Sequence, residues 1–147
     1  MRLVIQRVKE ARVDIDGKLF SAIKKGLLVF VAVAKEDSFA QCDYLAEKTA
    51  HLRIFEDNAG KMNLSVIEVG AEILVVSQFT LLGDCVKGRR PSFDAAAEAQ
   101  KGEELYEYFV AKLKEYHPKV SVGRFKARMD VSLVNDGPVT LILDSKA

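Results

Sequence analysis

Apolar and polar positions divide the chain into stretches of period two and stretches of helical period. Residues 3–8 are rich in apolar and β-branched side chains, and Ala11, Val13 and Ile15 then alternate with Arg12, Asp14 and Asp16. Period two with one polar face predicts a strand. Asp16-Gly17 is a hairpin signal that returns 19–23 antiparallel, and Lys24-Lys25-Gly26 makes the next turn. Residues 27–34 are apolar without a break, which predicts a strand covered on both faces. Ser38 and Gln41 have the form of a capping box. Phe39, Cys42, Leu45, Thr49 and Leu52 follow at helical spacing, predicting a first helix over 38–53. Cys42 lies on that stripe and reads as core, whereas His51 lies off it and reads as solvated. Residues 57–63 (DNAGKMN) read as a loop.

Residues 72–81 (EILVVSQFTL) predict a central strand whose character changes abruptly at Ser77, Gln78, Phe79 and Thr80. Small hydroxyl and amide groups at the end of a buried strand suit a binding site on a rigid scaffold. Alternatively, Ser77 and Thr80 merely satisfy backbone groups where the sheet ends. The polar loop 83–92 concentrates positive charge at Lys87, Arg89 and Arg90. Ser92, just after Pro91, predicts the N-cap of a second helix with Leu105, Phe109 and Leu113 on its apolar face. Pro118 should end that helix at His117. Residues 119–122 return to strand. Phe125, Ala127, Met129, Val131 and Leu133 then alternate against Arg124, Lys126, Arg128, Asp130 and Ser132, predicting one more strand. Asn135-Asp136-Gly137-Pro138 breaks it, and 139–143 close the pattern. The expected architecture is a single α/β domain over 1–147. It should hold about seven or eight mostly antiparallel or mixed strands, in a doubled or barrel-like sheet covered by two long helices.

Composition narrows the function more than the fold. The chain has 147 residues, 49% hydrophobic and 29% charged, with a net charge of +1. No global field draws it to nucleic acid or membrane, so any such contact rests on a local patch. The first apolar stretch is interrupted by charges, which argues against a signal peptide, and no run approaches the roughly 20 residues of a membrane span. Cys42 and Cys85 lie far apart with no CxxC spacing, so neither a disulfide framework nor a metal site is expected. The expectation is a cytoplasmic protein with reduced thiols, no cofactor, no metal and no membrane partner.

Catalytic motifs are notable for their absence. His51 and His117 are the only histidines, and no GxSxG, HExxH, Walker-type or GxGxxG pattern occurs. An enzyme of this composition would rely on backbone amides, bound water or the substrate itself. The Gly137-Pro138 pair between two strands is by base rate a trans turn. Its exposed carbonyls and stiffness also suit a group that polices the space beside a substrate.

Three segments in this order and spacing resemble the D-aminoacyl-tRNA deacylase family: SQFTL at 77–81, GRRPSF at 88–93 and NDGPVT at 135–140. MRLVIQRV at the start and LRIFED at 52–57 are similar to it as well, so the resemblance runs along essentially the whole chain. It implies a homodimer that hydrolyses the ester between a D-amino acid and the terminal adenosine at the 3′ end of a tRNA. It implies a pocket formed by Ser77, Gln78, Phe79 and Thr80. It also implies a cis Gly137-Pro138 that enters the partner subunit's pocket and leaves no room for an L side chain. Glycine, having no side chain, should be accepted on a non-cognate tRNA. The stretch around Met129 should border the adenine, although Phe125-Lys126-Ala127 stands where the family commonly has Phe-Gly-Ala.

An aminoacyl ester is already activated, so the protein needs chiefly to orient it and stabilise the oxyanion. Backbone N–H groups near Phe79 and Thr80 are the favoured donors. The rival assignment makes the Thr80 hydroxyl a nucleophile, without an evident base. Lys87, Arg89 and Arg90 are candidates for tRNA phosphates, and Arg124, Lys126 and Arg128 would extend a positive track if they share one strand face. Two other readings stay open: a relative with a trans Gly-Pro clearing small L-amino acids from wrong tRNAs, and a binding module for the tRNA acceptor end without turnover.

Overall fold

A computed structural model describes residues 1–145. β1 (Arg2–Ile15) turns at Asp16-Gly17 into β2 (Lys18–Ile23), and both turn residues have positive φ, 52° and 74°. Two consecutive positive φ values match the type I′ hairpin expected of Asp-Gly. β3 (Gly26–Ala32) lies antiparallel to the first half of β1. α1 (Phe39–His51) starts from the expected capping box at Ser38, whose N–H donates to Gln41 Oε1 at 2.8 Å. A small hairpin of β4 (Phe55–Glu56) and β5 (Met62–Leu64) follows, brief strands flanking the loop read from composition. Next come β6 (Glu72–Ser77), α2 (Ala99–Tyr116), β7 (Val120–Val122) and β8 (Asp130–Asp144).

β1 organises the sheet. β3 pairs with its first half and β2 with its second, while β8 runs antiparallel along its opposite edge. β6 and β7 continue from β3 in parallel, giving the order β2-β1-β3-β6-β7 with β8 added on β1. This mixed α/β sheet is nearly barrel-shaped, as expected. One core lies between the sheet and the helices, where Leu27, Val29, Ile73 and Val75 meet Leu45 of α1 and Leu105, Phe109 and Leu113 of α2. A second lies on the opposite face, where Val8, Val13, Leu28, Leu74 and Val76 pack together. Successive residues of β3 and β6 therefore serve different cores, which explains their unbroken apolar runs. Each fully buried Leu or Phe is worth about 1.5–3 kcal/mol, so these central strands are held from both sides. The two run close at their start: a Cβ on Gly26 would lie 1.8 Å from the Glu72 carbonyl oxygen.

Several element boundaries differ from expectation, for local reasons. Residues 135–138 do not break the last strand: β8 runs from Asp130 to Asp144 and takes up those residues as an irregularity in its pairing with β1. β6 ends at Ser77 because Val31–Ser77 is its last pairing with β3, and Phe79–Leu82 winds into a short 3-10 helix. α2 begins at Ala99 instead of after Ser92. The intervening backbone is held by Ser92 paired with Asp84 at 2.7 and 2.9 Å, Lys35 N–H to the Ala95 carbonyl, and Ala97 N–H to the Val33 carbonyl. β8 begins at Asp130, because residues 124–127 form a turn closed by Ala127 N–H to the Arg124 carbonyl at 3.2 Å. Arg124, Lys126 and Arg128 consequently do not share a strand face. The far end of α2 is as predicted: Tyr116 is its last residue and His117 its C-cap, with His117 Nε2 hydrogen-bonded to the Ala71 carbonyl at 2.6 Å.

Candidate functional site

A cleft of about 560 Å³ opens where β3 and β6 end. Ser77, Gln78 and Phe79 line it from the end of β6, and Phe125, Lys126 and Met129 line it from the segment preceding β8. The sequence-predicted Ser77, Gln78, Phe79 and Met129 are thus brought together by two distant parts of the chain. β6 is anchored beside this site on both sides. The Val75 carbonyl accepts the Tyr106 hydroxyl at 3.1 Å and the Gly123 N–H at 2.9 Å, and Gln78 N–H donates to the Val31 carbonyl at 2.8 Å.

Thr80 does not line the cleft. It sits in the first turn of the 3-10 helix, exposed, with its hydroxyl accepting from Gln78 Nε2. The first N–H groups of a helix have no partner within it. The Phe79 and Thr80 N–H groups accordingly find no acceptor among the described residues, whereas Leu81 and Gly83 bond back to the Gln78 and Thr80 carbonyls. Phe79 is 55% exposed and meets Phe93 edge-on at 5.2 Å, which ties the loop after the 3-10 helix to the site. No His, Asp, Glu, Cys or Tyr stands among the described residues lining the cleft. It is a largely apolar slot with an amide, a hydroxyl, backbone donors and one exposed lysine, suited to holding an uncharged carbonyl and a developing oxyanion.

Gly137 and Pro138 lie elsewhere. Opposite β1, the register jumps from Val8–Asn135 to Gln6–Thr140, so residues 136–139 bulge out of β8. Their peptide bond is cis, not the trans turn favoured by base rate. Both residues are exposed and neither lines the cleft of their own chain. The bulge is nonetheless braced. Asn135 Nδ2 donates to the Arg7 and Val139 carbonyls at 2.9 and 3.2 Å. Arg7, 6% exposed, donates from Nε to the Asp136 carbonyl at 3.2 Å and from Nη1 to the Ile54 carbonyl at 2.6 Å. It also pairs with the Asp136 carboxylate at 3.3 Å. Sequence reasoning missed Arg7; no clear signal marked it, because β1 carries several other polar and charged residues, Gln6 next to it included.

Lys87, Arg89 and Arg90 occupy an exposed loop pinched shut by the Asp84–Ser92 pair, with Gly88 at φ 74° in its tip. None lines the cleft, and none has an ion-pair partner among the described residues. Cys42 and His51 stand as read from sequence. Cys42 is buried with Sγ 3.4 Å from the Leu105 carbonyl, and burial, then Asp37 and Asp43, push its thiol up to about 12. His51 is exposed at the end of α1.

Residues 4–144 match a family model described as D-Tyr-tRNA(Tyr) deacylase. A protein of Desulfatibacillum aliphaticivorans named D-aminoacyl-tRNA deacylase is 60% identical over 146 residues, 99% of this chain and 100% of that one. One of Thermotoga petrophila with the same name is 59% identical over 145 residues, 99% of this chain and 97% of that one. Among solved structures, one described as c-Myc DNA Unwinding Element Binding Protein is 39% identical, with TM-score 0.95 and full coverage of both chains. A probable eukaryotic D-amino acid tRNA deacylase shares the fold at TM-score 0.86, 18% identity and 97% coverage of each.

Proposed function

The chain belongs to the D-Tyr-tRNA(Tyr) deacylase family and is a hydrolase of the D-aminoacyl-tRNA deacylase class, and we propose that it performs this hydrolysis with backbone donors and a chiral filter supplied by a second copy. Water attacks the ester carbonyl, the carbonyl π electrons move onto oxygen, and the tetrahedral intermediate expels the ribose oxygen, which takes up a proton. Free D-amino acid and tRNA leave. The neighbouring ribose hydroxyl assists the proton transfers, so no side-chain base is required. The observation that carries the reading is the pair of N–H groups at Phe79 and Thr80, unpartnered among the described residues, beside a cleft whose described lining holds no His, Asp, Glu, Cys or Tyr. Donors of this kind, held ready for an oxyanion, each contribute roughly 10²–10³ in rate.

Ser77 and Gln78 orient the aminoacyl group, and Met129 borders the adenine. Gly137 and Pro138 of the second copy face the α-carbon substituents and exclude an L side chain. Their exposure and their separation from their own chain's cleft support delivery in trans. Glycine offers no side chain to exclude, so a glycyl ester on a non-cognate tRNA is also a substrate. The unpaired Lys87, Arg89 and Arg90 hold tRNA phosphates. Among the described residues no helix is long and apolar enough to cross a membrane, and the cytoplasm, where charged tRNA is found, is the proposed site of action.

Single-turnover hydrolysis of one tRNA charged with D-tyrosine or L-tyrosine tests this. Rapid loss of the D ester alone is the expected result. Equal rates would remove the filter, and retained tRNA binding with no hydrolysis of either ester would leave a binding module.

A further inference from the structure

Lys126 has features that the site as described does not use. It is the one charged side chain among the described residues lining the cleft. It is exposed, and it has no ion-pair partner among them. It also occupies an unfavourable backbone position. Lys126 has φ 62° in the turn closed by Ala127 N–H and the Arg124 carbonyl, while Phe125 before it keeps a negative φ. Positive φ at the third residue alone is the pattern of a type II turn, where glycine is preferred because a Cβ crowds the backbone. The flanking Arg124 is already engaged, its guanidinium 5.0 Å from the Phe20 ring centroid.

A lysine kept where glycine fits better, neither buried nor paired, meets an anion that arrives with the ligand. The described lining offers it no carboxylate. In a D-tyrosyl ester of the tRNA end, the ester, ribose and base are uncharged. The first anion met along the nucleic acid is the phosphodiester on the 5′ side of the terminal adenosine. We infer that Lys126 binds that phosphodiester and thereby draws the aminoacyl ester into the cleft. The inference rests on the deacylase reading and extends it to a phosphate subsite at the cleft itself, separate from the Lys87–Arg90 loop.

The test compares D-tyrosyl adenosine with D-tyrosyl cytidylyl-adenosine, which adds one phosphodiester, using wild type, Lys126→Asn and Lys126→Arg at low salt. Asparagine tolerates positive φ without charge. The wild-type enzyme is expected to favour the dinucleotide in kcat/KM by roughly fivefold, the scale of one exposed ion pair. That preference should be lost in Lys126→Asn, kept in Lys126→Arg, and shrink as salt rises. A melting temperature close to wild type shows that Lys126→Asn is folded. An unaltered preference in folded Lys126→Asn overturns the Lys126 assignment alone, as does equal wild-type hydrolysis of both esters. Hydrolysis of neither ester by wild type overturns the deacylase reading, and the subsite with it.

Discussion

Thr80 separates the two chemistries open to this cleft. Its hydroxyl accepts from Gln78 Nε2 and faces no base, whereas its N–H is unpartnered among the described residues. Thr80→Ala keeps the N–H and removes the hydroxyl, so it is expected to retain kcat within about tenfold in single-turnover assays. A nucleophile's loss would cost several orders of magnitude. At Cys42 the argument concerns ionisation. The unfolded thiol ionises near 8.5, but in the folded state burial holds the pKa at about 12. Folding thus retains a proton that the unfolded chain releases, so the Cys42 contribution to stability falls as pH rises from about 9 toward 12. At about pH 9, iodoacetamide is expected to label exposed Cys85 rapidly and Cys42 only after denaturation. Rapid labelling of both in folded protein would show that Cys42 is accessible.

The pattern of single residues was legible at the scale of elements wherever one physical cause dominated. Asp16-Gly17 dictates its turn through positive φ, Ser38 and Gln41 fix the start of α1, and Pro118 the end of α2. Alternation misled at 124–129, because Phe125 and Met129 line a cleft and so share the apolar character of strand residues without pairing. Ser92 misled because its backbone is held in a bridge to Asp84 and its hydroxyl accepts from the Asp94 N–H at 3.3 Å, a turn contact and not a helix cap. The site was half legible. Polar residues at the end of an apolar run exposed Ser77 and Gln78, but the clamp on the bulge in β8 depends on residues more than a hundred positions apart. Arg7→Leu should test that clamp. It leaves the Asp136 and Ile54 carbonyls without their donor, and loss of such a buried hydrogen-bonding group costs roughly 1–3 kcal/mol. A urea midpoint lowered accordingly, with poorer discrimination between D and L esters, is expected. Unchanged stability and discrimination would show that Asn135 alone holds the bulge.

At the scale of the whole molecule, the cleft and the Gly137-Pro138 bulge are built from the same chain yet do not meet within it. The proposed filter would therefore have to come from a second copy, and complementation tests that proposal. A Cβ on Gly137 would lie 2.6 Å from the Val139 nitrogen and 3.0 Å from Asn135 Oδ1, so Gly137→Ala must displace the bulge, and on the proposed reading it spoils the filter. Gln78→Ala damages the cleft and leaves the bulge intact. In a mixed dimer, the chain carrying Gly137→Ala keeps a sound cleft, and its partner supplies a sound bulge. If the proposed dimer forms, equal mixing through reversible unfolding gives mixed dimers half of the time by chance, each with one complete site. D-selective hydrolysis should then recover to about a quarter of the wild-type level. If each bulge served its own cleft, mixing would restore nothing beyond the sum of the two variants. Recovery measured against that sum decides whether the chiral filter acts between subunits.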